Sequence, residues 1–571
     1  MLGSERTIYE ELIFLYGEEV AAKTVSQIDL LIQKYRKRIP RRSYRLSHRD
    51  AILITYADQV VRPGEAPLVT LRKFLEKQTK TLLNTVHLLP FYPSSSDDGF
   101  SVIHYKEIAP GLGSWEDIAD LGCSHRLMFD AVCNHVSQYH YWFRAMLAGE
   151  KKYADFFHEV DPKTDLHRVV RPRTTPLLHP FTDDAGKQHY IWTTFSRDQV
   201  DLNYHSVEVL LAMLETLLFY VWKGARLLRL DAVAFLWKEA GTESIHLPQT
   251  HALIRLMRKV LLEVSPAVLL ITETNVPHEE NISYFGSTEP EADMVYNFAL
   301  PPLLAHTVLS GDAEILTRWA QERMKPRKGA CFFNFTASHD GCGLRPVRGV
   351  LSQEAIDRLT ETVEKRGGYV SYRTLPDGSR EAYELNMSYI DIISDSDDPI
   401  PLRVQKMLLT QAVMLALPGV PGIYFHSLVG STSDFDAVLK TGKLRAINRE
   451  KCNYDRLLIA LDKTGSLRAE IFSGMKKLLE IRTQEPLFDP YGECVYFSLE
   501  GAVFGIRRFD EKDKKALLAL HNFSNRTIIC NISNFLSSGG YDLIANRRVE
   551  NGMITLKAYA IAWIKYQEDI T

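Results

Sequence analysis

Eight short runs rich in β-branched and aromatic residues recur along the 571-residue chain: ILITYAD (52–58), TVHLLPF (85–91), RLMFDAVCNH (126–135), ARLLRLDAV (225–233), AVLLITETN (267–275), DMVYNF (293–298), CFFNFTASHD (331–340) and VPGIYFH (420–426). Near-continuous apolar character over so few residues is the pattern of a strand buried on both faces. Between most of them, apolar residues return every three or four positions, as in LVTLRKFLEKQTKTLL, SWEDIADLG, HSVEVLLAMLETLLFYVWKG, THALIRLMRKVLLEV and PLRVQKMLLTQAVMLAL, which predicts amphipathic helices there. Strand and helix therefore alternate. Alternation calls for a parallel sheet, and eight strand–helix units is the number that closes a (β/α)8 TIM barrel. An open, doubly wound sheet is the alternative; the barrel is favoured because the runs end in polar residues, Asp58, His135, Asp231, Glu273, Asn297, Asp340 and His426. Barrel sites gather at that C-terminal rim, whereas an open sheet concentrates its site at one switch point.

Three segments break the repeat. Residues 1–46 predict a helical, solvated extension. Residues 137–206, with HRVVRPRTTPLLHPF and YIWTTFSRDQVDLNY, form a long insertion after the third strand. Beyond 484 the pattern changes to short alternating strands, ECVYFSL, AVFGIRRF, ALLALHNF, RTIICNI and ITLKAYAIAWIKY, the pattern of an antiparallel β-domain. The predicted division is an extension over 1–46, the first part of the barrel over 47–136, an inserted domain over 137–206, the rest of the barrel over 207–484 and a C-terminal β-domain over 485–571.

Composition narrows the field of functions. Hydrophobic residues make up 45% and charged residues 24%, which suits a globular chain with a large core. A formal net charge of −3 offers no basic field for nucleic acid and no polybasic stretch for a membrane surface. The greasiest helix, VEVLLAMLETLLFYVW, contains Glu215 and is shorter than the about 20 apolar residues that span a bilayer. Seven cysteines, an odd number without C-x-x-C spacing, fit a reducing compartment rather than a disulfide framework or zinc site. The acidic N-terminal stretch lacks the blocks of a signal peptide, so the expected location is the cytoplasm.

Arg229 and Asp231 interrupt the apolar run 225–233 two residues apart. Side chains at i and i+2 of a strand share a face, so the pair reads either as a buried ion pair holding the fold or as a carboxylate kept ionised for chemistry. Glu273 and Asp340 end two later strands. Three carboxylates at three strand ends would meet in one pocket, an arrangement suited to glycoside chemistry: one attacks the anomeric carbon and a second shuttles a proton. A guanidinium beside Asp231 would hold it anionic, and partial burial would raise Glu273 toward a proton donor's range.

The segments FDAVCNH (129–135), ARLLRLDAV, LLITETN (269–275) and TASHDG (336–341), in that order, resemble the four signature regions of the α-amylase-type glycoside hydrolases, glycoside hydrolase family 13. LITYADQ (53–59), HLLPFYPSSSDDGF (87–100), WKEAGT (237–242) and LRAINR (444–449) resemble the sucrose phosphorylase branch. FSVIHY, HLPQTH, ETNVPH and YELN, with the N-terminal extension, resemble the glucosylglycerate phosphorylases. The resemblance implies Asp231 as nucleophile, Glu273 as general acid/base and Asp340 as the carboxylate on the sugar hydroxyls. It also implies that Asp97, His135, Arg229, His339 and Arg449, with Arg445 nearby, hold the glucosyl ring. Arg173 and Arg171 of the RPR segment fall where the branch has its acceptor-site loop, and phosphate needs cations there. Tyr383 and Glu384 fall on the second acceptor loop, where Glu384 stands in place of the glutamine more usual in sucrose phosphorylases. Lys238, His246 and Gln249 follow the nucleophile strand and are candidates for the leaving-group side.

The activity this implies is a retaining phosphorylase acting on 2-O-α-D-glucosylglycerate, yielding α-D-glucose 1-phosphate and D-glycerate through a covalent glucosyl-enzyme. Sucrose or sucrose 6-phosphate phosphorolysis is the alternative within the class, and a non-catalytic sugar-binding barrel the alternative outside it. Neither metal nor organic cofactor is expected. Phosphate is the co-substrate; the expected partners are the sugar, phosphate and glycerate, and a homodimer is allowed.

Overall fold

In the computed structural model, which describes residues 7–567 apart from 42, 80–81, 174, 288, 375–378, 513, 537–538 and 551, all eight apolar runs are strands of one closed parallel barrel. They are β1 (Ile52–Thr55), β2 (Thr85–Leu88), β3 (Arg126–Val132), β4 (Ala225–Asp231), β5 (Leu269–Thr272), β6 (Met294–Tyr296), β7 (Cys331–Phe335) and β8 (Val420–Tyr424). Each pairs with its sequence neighbours, and β8 closes on β1 through Ile52↔Gly422. Sequential closure removes every sheet edge, so the open-sheet alternative is excluded. The first and last residues of the predicted terminal segments, 1–6 and 568–571, lie outside the described residues.

Helices return the chain between most strands, among them Pro67–Gln78, Trp115–Ser124, Leu300–Ser310 and Ile400–Ala416. Their apolar faces are buried against the barrel; Leu68, Leu71, Phe74 and Leu75 of the first of these are inaccessible. Between β5 and β6 the return is short, a five-residue helix His278–Ile282 and a 3-10 turn.

The N-terminal segment forms α1 (Ile8–Tyr16), capped by Thr7 and Glu10 in a reciprocal capping box, and α2 (Glu18–Arg36). The expectation of a solvated extension is corrected here. Leu12, Ala21, Ile28, Ile32 and Tyr35 are buried in the main core, because α1 and α2 lie on α3 (Val207–Trp222) and α4 (Pro248–Val264). Glu11 is fully buried and accepts from Arg255 Nε (2.7 Å) and Nη2 (3.1 Å) and from Lys259 Nζ (3.1 Å), so an apolar stripe and a buried ion cluster both fasten the extension to α4.

The insertion between β3 and α3 leaves and re-enters the barrel rim through an antiparallel pair, His135–Ser137 with Gln199–Asp201. Further out, Leu178–Thr182 pairs with Gln188–Trp192, and Val169, Leu177 and Trp192 form a small separate core. At the C-terminal end a six-stranded antiparallel sheet and a two-stranded one enclose another core, as the alternating pattern predicts. Among the described residues, no helix is long and apolar enough to cross a membrane.

Candidate active site

Strand register sets Arg229 of β4 level with Asp130 of β3 and Ile271 of β5, below the rim, while Asp231 ends β4. Glu273 continues the β4–β5 ladder one step past Thr272: its backbone N–H donates to the Leu230 carbonyl at 3.2 Å, which brings it beside Asp231. Arg229 Nη1 donates to Asp130 Oδ1 and, at 2.8 Å, to Asp231 Oδ1; Nη2 stands 3.7 Å from Glu273 Oε2. His87 Nε2 on β2 bonds the other Asp130 oxygen at 2.7 Å. Phe100 and Tyr296, each 5.5 Å from the guanidinium carbon, pack over Arg229 and fix its plane.

The two readings of Arg229 and Asp231 therefore merge: one arginine serves a structural carboxylate, Asp130, and two carboxylates at the rim. Burial pushes the Asp231 carboxyl up to about 7, because the opposing pull of Arg229 is offset by the neighbouring Asp130 charge. Burial likewise pushes Glu273 up to about 7, against Arg229 and with Asp231 adding to the rise. The expectation that Arg229 holds Asp231 anionic is met only in part, because Asp130 shares that cation. Near neutral pH the two rim acids hold one proton between them. Arg229 bonds Asp231 directly and reaches Glu273 only at 3.7 Å, a geometry that favours the charge on Asp231 and the proton on Glu273.

Ala232 turns the chain sharply after Asp231. Its φ of +50° is left-handed, a conformation that costs a residue with a Cβ about 1–2 kcal/mol. That turn aims the Ala232 N–H at Glu273 Oε2, 3.1 Å away. Local strain thus couples the two acids.

Asp340, beyond β7, accepts from Arg445 Nη1, and Arg445 also grips both oxygens of Glu384 through Nε (3.1 Å) and Nη2 (2.6 Å). Burial pushes the Asp340 carboxyl up, but Arg445, His339 and Arg449 outweigh it and hold it well below the usual carboxylate range. Glu384 and Tyr383 arrive on the strand Arg380–Asn386, which pairs with Cys342–Gly343. Glycine is required at 341: a Cβ there would stand 2.6 Å from Glu384 Cγ and from the Leu385 carbonyl oxygen. His339 stacks on Phe100 with ring centroids 4.9 Å apart, and burial draws its pKa down to about 3, leaving a neutral imidazole.

Asp231, Glu273, Asp340, Asp97, His135, Arg229, His339, Arg173, Tyr383, Glu384 and Arg445 line one cavity of about 850 Å³, its open mouth included. That size falls within the about 300–1,000 Å³ typical of small-molecule sites. Arg173 reaches it from the insertion, and among the described residues no hydrogen bond or ion pair engages its guanidinium.

Several candidates lie elsewhere. Arg449 is not at the cavity wall; it supports it from behind, donating to the His339 carbonyl at 2.7 Å and pairing with Asp98. Arg171 is exposed and donates to the Thr175 carbonyl. Lys238 is buried, bonding Asn134 Oδ1 (2.9 Å) and the Phe235 carbonyl (2.7 Å) and pairing with Asp201 (3.1 Å), so it braces the root of the insertion. His246 bonds the Tyr284 hydroxyl at 2.6 Å outside the cavity, and Gln249 is likewise not at its wall. Of the seven polar strand ends, Asp58, Asn297 and His426 are absent from the cavity wall.

Sequence reasoning passed over Asp130 and His87, although Asp130 is a second charge inside an apolar strand run and signals a buried partner as plainly as Asp231 does. Gln199, which donates to Asp97 Oδ2 at 3.1 Å, Asn275 and Arg345 carried no local pattern. Among the described residues, no group of three or more His, Cys, Asp or Glu is arranged to hold a metal ion.

The α-amylase catalytic-domain family matches residues 79–338. The glucosylglycerate phosphorylase of Spirochaeta thermophila is 46% identical over 523 residues, covering 90% of this chain and 89% of that protein. The glucosylglycerate phosphorylase of Escherichia coli K12 is 42% identical over 563 residues, covering 98% and 100% respectively. The crystal structure of sucrose 6F-phosphate phosphorylase from Thermoanaerobacter thermosaccharolyticum superposes with a TM-score of 0.73 at 23% identity, covering 92% of this chain and 98% of that one, a likeness of fold. At these identities and coverages the chain belongs to the glucosylglycerate phosphorylases of the α-amylase family.

Proposed function

We propose that the chain is a retaining phosphorylase that moves the glucosyl group of 2-O-α-D-glucosylglycerate onto inorganic phosphate, releasing D-glycerate and α-D-glucose 1-phosphate, and that it also runs in reverse. Asp231, the ionised member of the acid pair, attacks the anomeric carbon while Glu273 gives its proton to the departing glycerate oxygen. The product is a covalent glucosyl-Asp231 ester and a Glu273 carboxylate. Phosphate then enters, Glu273 takes back a proton from it, and a phosphate oxygen displaces Asp231 from the anomeric carbon. Two inversions give net retention. Asp340, held anionic by Arg445, receives sugar hydroxyls opposite the acid pair, with Asp97, His135 and His339 completing the ring site.

The observation that carries this reading is a pair of carboxylates, Asp231 and Glu273, beside one arginine in a cavity where, among the described residues, Arg173 has no anion of its own. An unpaired guanidinium at the acceptor side favours phosphate over water as the second nucleophile. The nearer likeness to the glucosylglycerate phosphorylases than to the sucrose phosphorylases supports glycerate as leaving group. On this reading phosphate is the co-substrate, no metal or organic cofactor enters the chemistry, and the reaction belongs in the cytoplasm. The divisions at 46, 136, 206 and 484 separate a docked extension, the two parts of the catalytic barrel, the acceptor-side insertion and the C-terminal domain.

The test is to offer glucose 1-phosphate with glycerate, glycerol, fructose or fructose 6-phosphate and identify the glycosylated product. Glucosylglycerate is expected, and in the other direction glucose 1-phosphate forms only when phosphate is supplied. Glycosylation of fructose with glycerate untouched overturns the assignment.

A further inference from the structure

The reaction just proposed brings two different anions to the same side of the cavity in turn, a hydroxy acid that leaves and a phosphate that enters. Four arginines line the cavity. Arg229 is committed to Asp130 and Asp231, and Arg445 to Asp340 and Glu384. Arg173 and Arg345 remain.

We infer that Arg345 recognises the carboxylate of the departing hydroxy acid and leaves Arg173 to phosphate; the inference rests on the phosphorylase reading above. Arg345 begins the turn Arg345–Val347 directly after the strand Cys342–Gly343, and its side chain is 15% exposed. Its Nη2 stands 3.6 Å from Glu280 Oε2, too far for a hydrogen bond, so its donors are not consumed. Glu280 is anchored from outside the cavity by His246 Nε2 at 3.1 Å. A fixed carboxylate at that distance partly offsets the Arg345 charge. Arg348 and Arg373 also face Arg345, but both are paired with Glu381, so Glu280 is what weakens the Arg345 charge, whereas among the described residues Arg173 has no ion pair; the weakened cation suits a singly charged carboxylate better than phosphate. The flat guanidinium fork also matches the two oxygens of a carboxylate.

A second group supports the assignment. Asn275, on the segment following Glu273, lines the same cavity and makes no hydrogen bond to any described residue. It is pressed against the Arg345 segment: a Cβ on Gly343 would lie 2.8 Å from Asn275 Nδ2, so a side chain there would push the amide from its present place. The amide can both donate and accept, which is what the hydroxyl left free on C3 of the glycerate requires, its 2-oxygen being the one bonded to the sugar. Together they present a carboxylate fork and a hydroxyl partner one segment away from the proton-donating acid. That layout fits glycerate held by its carboxylate and its 3-hydroxyl while the 2-oxygen faces the acid pair, and it gives His246 and Glu280, remote from the reacting atoms, a positioning role through Arg345.

The experiment uses the whole enzyme charged from glucose 1-phosphate and measures how the glucosyl-enzyme partitions among glycerate, phosphate and water. In Arg345→Ala, the ratio of transfer to glycerate over hydrolysis, at subsaturating glycerate, is expected to fall about 10- to 100-fold, the value of a lost charge-assisted pair. The ratio of transfer to phosphate over hydrolysis falls far less. Arg345→Lys keeps the charge beside Glu280, and with it the fold, but removes the fork; it should show the same selective pattern with a smaller loss. An unchanged glycerate ratio in both variants overturns the inference, and so does an equal fall for phosphate and glycerate. A wild-type enzyme that never transfers to glycerate fails the phosphorylase reading itself, a result visible before any variant is made.

Discussion

Replacing Asp130 with asparagine tests the electrostatics of the site without touching a reacting atom. Asp130 and Asp231 each place an oxygen on Arg229 Nη1. Two carboxylates sharing one nitrogen lie about 5 Å apart, and at an effective dielectric constant of about 20 their repulsion is about 3 kcal/mol. At about 1.4 kcal/mol per pKa unit, and allowing for relaxation, Asp130 lifts Asp231 by about 1–2 units. Asp130→Asn removes that push and leaves Arg229 undivided, so the Asp231 pKa falls from about 7. Asp231 must be ionised to attack, so the acidic limb of the pH profile shifts to lower pH. Glu273, whose pKa is set chiefly by burial, Arg229 and Asp231, sets the basic limb, which moves less. The assay is the pH dependence of kcat/KM for glucosylglycerate, which in a two-step transfer reports the first half-reaction and is independent of the ionisation of phosphate. The expected curve is a bell widened on its acid side. Breaking a buried pair costs up to about 3–5 kcal/mol, less here because Arg229 keeps Asp231, so a lower Tm accompanies the shift. An acidic limb that stays in place, or moves upward, refutes the account of why Asp231 sits near 7.

Three further outcomes follow from other contacts. Asp231→Asn should reduce transfer by about 10³-fold or more, since the nucleophile is gone. Because burial raises that carboxyl in the folded state, its charge weakens the fold as pH rises from about 4 to about 7; calorimetry should find the variant's Tm unchanged or higher at pH 7, and a clear drop there contradicts the burial argument. Arg173→Ala should raise KM for phosphate about tenfold or more while hydrolysis changes less, and equal losses in both assays count against an anion contact. Glu11→Ala removes a carboxylate shared by Arg255 and Lys259, which keep Glu291 and Glu289, and should cost about 1–3 kcal/mol in denaturant unfolding with kcat at 25 °C nearly intact; an unaltered midpoint would show that the extension is not fastened there.

The barrel was legible because its signal is local: each strand is a short apolar run, and each return helix repeats on its own turn. The rim acids Asp231, Glu273 and Asp340 were legible for the same reason, as polar ends to such runs. The partners that set their chemistry were not. Asp130 reaches Arg229 through strand pairing, between residues 99 positions apart, and Glu384 reaches Arg445 across 61. No window of sequence contains either contact. Arg449 and Arg445 show the same limit at shorter range: within the 3-10 turn Leu444–Asn448 and the residue after it, the direction of each side chain decides which arginine faces the sugar site. The solvated extension was misjudged because its apolar residues are sparse among charges, and only the presence of α3 and α4 beneath them gives those few positions a surface to cover.

The insertion is stitched at its base, where His135–Ser137 lies beside Gln199–Asp201, with Lys238 tying Asn134 to Asp201 just below. This arrangement separates a fixed base from an independently packed outer part within one loop. The stitched roots carry His135 and Gln199 at the cavity wall, whereas the outer hairpin packs on its own small core and can be rebuilt without disturbing them. Grafting that outer stretch from a relative onto these roots is therefore a direct route to changing the acceptor while the glucose specificity is inherited intact.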